Sequence, residues 1–483
     1  MKTVVTAEQM AAADAFTIET LGISGVSLME KAAQSCFEVL HQECQGPCNI
    51  AIIAGAGNNG GDGLALARML FQAGYSVEVF TLKDASHFRG DAAANYQWLL
   101  EIGLHPKWIQ HLDELVISEN TRWIVDAILG TGLRGPVRGL AGAVIDFLNA
   151  QAVPILAVDL PSGLCGNDGR ALEPHVRAQR TVTFQNYKMA HVIAPACLSC
   201  GKVEVADIGV KYADVDGLTT YFCEAEDFAM PPRPLNSHKG RFGSLGIIGG
   251  FEGMTGAVNL AGMAAMRCGA GKVRLLNNDP TLVIRHDSLM SGHWQKIESK
   301  MFDALVIGPG LSREPWVWKH LEKIPLGEQP IVWDADGLYY LKTQVKIPGK
   351  PWVMTPHPGE AAHLLGISVA SVQADRLAAL KRLGERFPGG WCVLKGFRTM
   401  VLSPEGEVFV IGTGNPALAT AGSGDVLAGM MGALFAQGFC PDEAVLLACL
   451  RHGMAADRWV RYHPDYSMIA EDIISDLTNP GRP

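Results

Sequence analysis

Short apolar runs recur through this chain of 483 residues, and most stop at a glycine, asparagine or aspartate just ahead of a stretch with helical periodicity. The clearest is NIAIIAG at 49–55, which runs into GAGNNGGDG and then into apolar residues at helical spacing. Such a rhythm predicts parallel sheets with helices on both faces, an α/β fold. In the first half, strands are expected near 49–54, 76–81, 123–129 and 154–159, with helices near 62–73, 89–102 and 139–150. Two helices are expected before the first strand: Thr6 and Gln9 make a capping-box pattern, and 26–41 is apolar-periodic.

The same alternation resumes further on, with strands expected near 244–249, 271–276, 303–307, 330–334, 352–354, 391–395 and 407–411. Between the halves lies 211–239, charged, poorly periodic and carrying Pro231, Pro232 and Pro234, which reads as a linker with a boundary near residue 225. Two domains follow, 1–215 and 225–483, and the length exceeds what one ordinary core fills. Hydrophobic residues make up 48% of the chain, enough for two such cores.

A formal net charge of −9 argues against a nucleic-acid or anionic-membrane partner, because phosphate recognition needs clustered Lys and Arg. A small molecule is the expected partner. The first twenty residues lack the apolar run of a secretion signal, and no apolar run reaches membrane-spanning length, so a cytoplasmic location is expected. Eleven irregularly spaced cysteines read as reduced thiols, and Cys197 and Cys200 have no second pair with which to complete a metal shell. Walker A, HExxH and GxSxG patterns are absent.

Gly55, Gly57 and Gly60 formally satisfy the dinucleotide fingerprint, but the next strand, SVEVFTLK, has Glu78 in its middle and Lys83 near its end where a ribose-binding acid would be needed. A redox dehydrogenase is therefore disfavoured. The loop instead offers Asn58, Asn59 and Asp62 at the carboxyl end of a parallel strand, where such sheets bind ligands. Two more strand ends carry comparable groups: DAILGTGLRGP with Asp126, and AVDLPSG with Asp159 and Ser162. Any one Asp alone reads as a turn or helix cap. Three together suggest one crevice, in which Asn59, Asp126 and Ser162 suit a hard cation and the amides of Gly130, Thr131 and Gly132 suit a pyrophosphate.

NNGGDG, DAILGTGLRGP and AVDLPSG, in that order, resemble the YjeF-type N-terminal domain of NAD(P)H-hydrate epimerases, a Rossmann-like three-layer α/β/α fold, over about residues 1–215. The resemblance implies substrate contacts from Asn58, Asn59, Gly60, Gly61 and Asp62, from Gly130, Thr131, Gly132, Leu133, Arg134, Gly135 and Pro136, and from Asp159, with potassium held at Asn59, Asp126 and Ser162. The same fold also serves non-catalytic proteins. The hydrate is a carbinolamine, and a carboxylate that moves a proton on and off its C6 oxygen suffices for epimerisation; Asp159 is expected in that role.

In the second half, NPALATAGSGDVLAGM sets Gly422, Ser423 and Gly424 ahead of an apolar helix with Asp425 at its start. Glycine amides at a helix N-terminus form an anion site, and Asp425 is placed to take a proton from an attacking hydroxyl. Read alone, this is an ordinary turn with an Asp in the first helical turn. It follows, however, HKGRFGSLGIIGG, GAVNLAGMAAMRCGAG, GPGLS, DADGL, TPHPGE and VLKGFRT, and the series is similar to the ribokinase-like ADP- or ATP-dependent NAD(P)H-hydrate dehydratases over about 230–475.

That likeness implies hydrate contacts from Ala257, Gly310, His357 and Asp425, nucleotide contacts from Lys395, Gly396, Phe397, Arg398, Thr399 and Gly424, and ADP or ATP as co-substrate; magnesium is expected because phosphoryl transfer relies on metal charge to offset the phosphates. Ala421 and Ser312 stand where the family pattern more often has glycine or a comparably small residue. The combined reading is a bifunctional repair enzyme acting on both NADH and NADPH hydrates, expected as a homo-oligomer. Two alternatives are a small-molecule kinase for a sugar or vitamin alcohol with an accessory first domain, and a first domain that binds or dimerises without catalysis.

Overall fold

The computed structural model describes residues 1–212, 217–277, 283–294, 297–298, 301–344 and 346–478. The chain divides into two compact units, one of Lys2–Thr220 and one of Met1 with Tyr221–Pro483. Residues 213–216 of the expected linker and 479–483 of the expected second domain lie outside the described residues.

The first unit runs through β1 (Lys2–Val5), α1 (Ala7–Ala15), α2 (Gly25–Cys44), β2 (Asn49–Ala54), α3 (Asn58–Gln72), β3 (Ser76–Thr81), α4 (Gly90–Glu101), β4 (Lys107–Trp108), β5 (Thr121–Ala127), α5 (Gly139–Asn149), β6 (Ile155–Val158), β7 (Arg180–Phe184), β8 (Tyr187–Lys188), α6 (Met189–Val192) and β9 (Lys202–Ala206). The Thr6 capping box opens α1 as expected. A strand precedes it, contrary to expectation: β1 is too short to show a pattern and is fixed by parallel pairing with β8, Val5 opposite Lys188.

Seven strands form a parallel sheet in the order β4-β3-β2-β5-β6-β7-β9. Alternation along β2 makes it the middle of three layers: Ile50, Ile52 and Ala54 pack with α2 and α3, while Ala51 and Ile53 pack with Val144, Ile145 and Leu148 of α5. From β2 the chain turns to one side of the sheet through β3 and β4, then returns at β5 to build the other side. The crevice at that switch point is where an open α/β sheet binds its ligand. In register there stand Ile53 of β2, Asp126 of β5 and Ala157 of β6.

α3 begins at Asn58, four residues before the expected start at 62. Two glycines in its first turn weaken the local helical signal, but packing requires them. A Cβ on Gly60 would lie 1.8 Å from the Gly55 carbonyl oxygen, and one on Gly61 2.7 Å from the Met29 Cε.

The second unit holds β10 (Thr220–Cys223), β11 (Ser244–Ile248), α7 (Thr255–Arg267), β12 (Lys272–Asn277), β13 (Met290–His293), β14 (Ala304–Ile307), α8 (Pro315–Leu321), β15 (Ile331–Trp333), α9 (Asp336–Leu341), β16 (Trp352–Met354), α10 (Pro358–Leu365), α11 (Val369–Ala374), α12 (Arg376–Arg386), β17 (Trp391–Leu394), β18 (Met400–Leu402), β19 (Val408–Ile411), α13 (Ser423–Ala436), α14 (Pro441–Trp459) and α15 (Ala470–Asp476). β10 falls inside the stretch expected to be linker. From β13 through β12, β11, β14, β15 and β16 to β17 the pairing is parallel, and β18 and β19 continue it antiparallel. No helix among the described residues is long and apolar enough to cross a membrane.

α13 is buried almost all round and lies directly on α7, because a Cβ on Gly429 would meet the Ala261 carbonyl oxygen at 2.1 Å. Gly429→Leu is expected to destabilise the second unit by roughly 1–3 kcal/mol through overpacking. Guanidinium unfolding should show a lowered midpoint; an unchanged one would mean that the two helices have room to part.

Candidate functional site

A crevice opens at the carboxyl ends of the strands in the first unit, and charged side chains gather at the corresponding strand ends in the second. In the first, a cavity of about 630 Å³ is lined by the β2–α3 turn from Gly55 to Asn59, by Asp62, by Gly130, Thr131 and Gly132, and by Asp159, together with Asp14 of α1 and Lys188 of β8. Gly60 and Gly61 do not line it: Gly60 packs on Gly55, and Gly61 packs on Met29 with its amide donating to Gly57 O at 3.0 Å. Leu133, Arg134, Gly135 and Pro136 continue the second loop beyond the lining residues.

Asp126, Ser162 and Asn59 meet under these loops. Ser162 donates its hydroxyl to Asp126 Oδ1 at 2.6 Å and its amide to Oδ2 at 2.8 Å, and its Oγ accepts from the Leu129 amide at 2.9 Å. Asn59 donates through Nδ2 to the Leu129 carbonyl at 3.1 Å, which leaves its Oδ1 buried without a hydrogen-bond partner. Burial pushes Asp126 up to about 6, against the pull of its bonds from Ser162 and the Ile128 amide. A carboxylate, an amide oxygen and a hydroxyl, with no nitrogen or sulfur donor, form a set suited to a hard monovalent or divalent cation.

Lys188 and Asp14 carry no signal that marks them in sequence, yet they set the charge of the cavity. Lys188, only 1% exposed, bonds Asp159 Oδ1 at 2.6 Å, Thr183 Oγ1 at 2.8 Å and Phe184 O at 2.9 Å. Asp159 sits at φ +60°, a strained left-handed position, and its Oδ1 also accepts from Thr183 Oγ1 at 2.9 Å. Burial acts to raise its pKa, but the Lys188 ammonium outweighs burial and holds the carboxyl below its ordinary range. Asp62 goes the other way: burial, then Asp159 and Asp14, push it well above that range. Burial lifts Asp14 to about 6.

In the second unit Gly422, at φ +87°, caps α13 and abuts Leu260 of α7, putting Ser423, Gly424 and Asp425 in the first helical turn. Buried His452 donates from Nε2 to Ser423 O at 2.9 Å and anchors that turn. Lys395 Nζ is close to Gly424, 3.1 Å from where a Cβ would stand, and bonds Asp334 Oδ1 at 2.7 Å with Glu360 Oε2 at 3.9 Å. Thr355 donates to the same Asp334 oxygen at 2.6 Å. Burial, then Asp334, pushes Asp425 up to about 7; burial lifts Glu360 to about 7 as well. Burial works against the Lys395 ammonium, but Asp334 and Glu360 keep its pKa raised.

His357 caps α10, its Nδ1 accepting from the amides of Gly359 and Glu360, with the ring edge left exposed beside Glu360. Ala257 and Gly310 come together: a Cβ on Gly310 would touch that of Ala257 at 3.4 Å. Gly396, Phe397, Arg398 and Thr399 form the β17–β18 turn, in which Thr399 Oγ1 donates to Gly396 O at 2.9 Å and Arg398 reaches the Gly412 carbonyl at 2.8 Å. Asp334, Asp336 and Glu360 belong to motifs visible in the sequence, but their convergence on Lys395 and Asp425 is not visible there. Ser312, at φ +73° where glycine is favoured, is held by its amide's bond to Asp336 Oδ2 at 3.0 Å.

Comparison with known proteins adds independent findings. A family model described as YjeF-related protein N-terminus matches residues 25–190, and one described as NAD(P)H-hydrate dehydratase matches 245–479. The bifunctional NAD(P)H-hydrate repair enzyme Nnr of Moorella thermoacetica is 36% identical over 98% of this chain and 95% of its own. That of Escherichia coli is 36% identical over 95% and 90%. A crystal structure of the ADP/ATP-dependent NAD(P)H-hydrate dehydratase of Bacillus subtilis with ATP and Mg2+ is 32% identical with a TM-score of 0.48, covering 51% of this chain and 92% of that one.

Because the folded pKa of Asp159 is depressed, its pairing with Lys188 stabilises the first unit fully above the ordinary value of 3.8, and that contribution fades as pH falls through the lower folded value. Lys188→Met is expected to destabilise this unit by roughly 3–5 kcal/mol at neutral pH by leaving a buried carboxylate unpaired. The difference from wild type should shrink below about pH 4. Denaturant unfolding at both pH values checks this; equal midpoints at neutral pH would refute it.

Proposed function

The chain belongs to the family of bifunctional NAD(P)H-hydrate repair enzymes, and from that premise we propose how each crevice acts. Residues 1–215 form the domain that interconverts the R and S epimers of hydrated NADH and NADPH at C6. Residues 225–483 form the domain that dehydrates the S epimer to the dinucleotide with ADP as phosphoryl donor, giving AMP and phosphate, and both work in the cytoplasm. The observation that carries the reading is Lys395, paired with Asp334 and lying against Gly424 of the α13 turn that bears Asp425, in a chain that also holds the Asp159 crevice.

In the first crevice the Gly130–Gly132 turn and Asn58 receive the pyrophosphate, and Asp159 moves a proton at the C6 oxygen. Asn59 Oδ1, Asp126 and Ser162 would hold potassium: the unpartnered buried oxygen of Asn59 and the oxygen-only donor set fit that ion. When bound it would balance the buried charge of Asp126 and tie together the loops after β2, β5 and β6.

In the second crevice Ala257, Gly310 and His357 seat the hydrate, and the 396–399 turn seats the nucleotide. Asp425 takes the proton of the C6 hydroxyl as its oxygen attacks the terminal phosphorus of ADP. Amides of the Gly422–Gly424 turn and the Lys395 ammonium stabilise the charge on the phosphoryl oxygens. The ring nitrogen then expels phosphate, and loss of the C5 proton restores the dihydropyridine. Magnesium would enter bound to the nucleotide phosphates, whose charge it offsets.

A base must be ionised, so with Asp425 raised to about 7 the kcat/KM for dehydration should climb as pH rises through about 7 and then level off. Asp425→Asn should lose roughly 100-fold or more of kcat and this ascending limb. Pure protein given a racemic hydrate, magnesium and ADP should release free phosphate and convert both epimers. A stable phosphorylated product would instead show a small-molecule kinase, and conversion of only half would remove the epimerase.

A further inference from the structure

Six ionisable side chains line the first cavity, and hydrogen-bond counting separates the roles of those at its buried end. An ammonium has three N–H donors, and Lys188 has three acceptors: Asp159 Oδ1 at 2.6 Å, Thr183 Oγ1 at 2.8 Å and Phe184 O at 2.9 Å. With every donor placed and 1% exposure, Lys188 has no N–H left to offer a substrate. Asp159, bonded at one oxygen by both Lys188 and Thr183, is fixed as the carboxylate and can only accept. His191 is closed as well, its Nδ1 accepting from the Lys188 amide at 2.9 Å and its Nε2 donating to Asp159 O at 2.8 Å.

Epimerisation through loss and return of the hydroxyl needs an acid as well as a base. Hydroxide is a poor leaving group until its oxygen is protonated, and the carboxylate of Asp159 has no proton to give. Asp62 lines the same cavity from the second turn of α3, near Asn58 and Asn59 at the switch point of the sheet, and it has no hydrogen-bond or ion-pair partner among the described residues. We propose that Asp62 is the catalytic acid of the epimerase, the group that protonates the departing C6 hydroxyl. The proposal rests on the reading of the first unit as an epimerase and completes it.

The step balances as follows. The Asp62 carboxyl proton passes to the C6 oxygen, the C6–O bond breaks with its electron pair on oxygen, and the N1 lone pair closes a C6=N1 iminium. Water then adds at C6, returning the π pair to N1, and its excess proton goes to Asp159. Exchange with solvent resets the two carboxyl groups. The surroundings keep Asp62 neutral: burial and the charges of Asp159 and Asp14 outweigh Lys188, and Cys36 of α2, which feels the charge of Asp62, is a buried thiol that stays protonated. Lys83 and Asp91 complete the charged lining of the cavity.

The test uses the full-length protein and the purified R epimer of hydrated NADH without nucleotide, with the epimers resolved chromatographically across pH 5.5–9. Wild-type kcat should fall as pH rises through the raised pKa of Asp62, since only the protonated form acts. Asp62→Asn should lower kcat by roughly 100-fold or more and abolish that fall, with KM held within roughly threefold as evidence of an intact pocket. Asp62→Glu should restore at least roughly a tenth of the rate and the alkaline fall with it. An Asp62→Asn variant that keeps the wild-type kcat and pH profile, or loses only KM, would overturn the assignment. So would an Asp14→Asn variant that loses kcat when Asp62→Asn does not. Wild-type protein that leaves the epimers unchanged would sink the epimerase reading itself rather than the choice of acid.

Discussion

A buried lysine ammonium set among more carboxyl groups than it can neutralise governs both crevices. In the first unit Lys188 faces Asp159, Asp62 and Asp14; in the second Lys395 faces Asp334, Glu360 and Asp425. Each lysine commits its closest bond to one carboxylate, Asp159 or Asp334, and in the first unit that bond holds Asp159 below its ordinary range. The remaining acids are left with burial and like charge, both of which favour the neutral form. Carboxyl groups of one chemical type are thus separated: Asp159 is held below its ordinary range, while Asp14, Asp62, Glu360 and Asp425 are raised above theirs, the division that acid–base chemistry requires.

These charges are held in place by backbone contacts that only glycine permits. Gly60 lets the first turn of α3 rest on the carbonyl of Gly55, and Gly429 lets α13 lie on the carbonyl of Ala261. The first contact brings Asp62 to the end of the sheet, in the cavity it shares with Asp159. The second sets the N-terminus of α13, with Gly424 and Asp425, against α7 and within reach of Lys395. Site and core therefore depend on the same close approaches, and a side chain added at either glycine would disturb chemistry and packing together.

Much of the architecture is legible in sequence because buried parallel strands read as unbroken apolar runs. β2, β3, β5, β11, β14 and β17 stand where those runs are. β1, β8 and β9 are not legible: they are short or mixed in polarity, and they exist because a distant neighbour supplies their hydrogen bonds, as Lys188 pairs with Val5. The start of α3 is displaced in sequence by its two glycines, whose low helical propensity masks a packing requirement. Among site residues, loop positions such as Asn59, Asp126, Ser162 and Asp425 can be read from strand-end motifs. Lys188, Asp14 and His452 cannot, since they lie on elements that carry no glycine-rich turn of their own.

From the order of its residues alone the chain determined two α/β units, the strand ends at which loops converge, and the polar groups those loops carry, since periodicity and turn chemistry are local properties. The tertiary structure alone decided which of those groups keep a proton. Protonation depends on burial and on charges brought within a few ångströms from remote parts of the chain, and no spacing of Asp14, Asp62, Asp159 and Lys188 along a line reveals that they share one cavity.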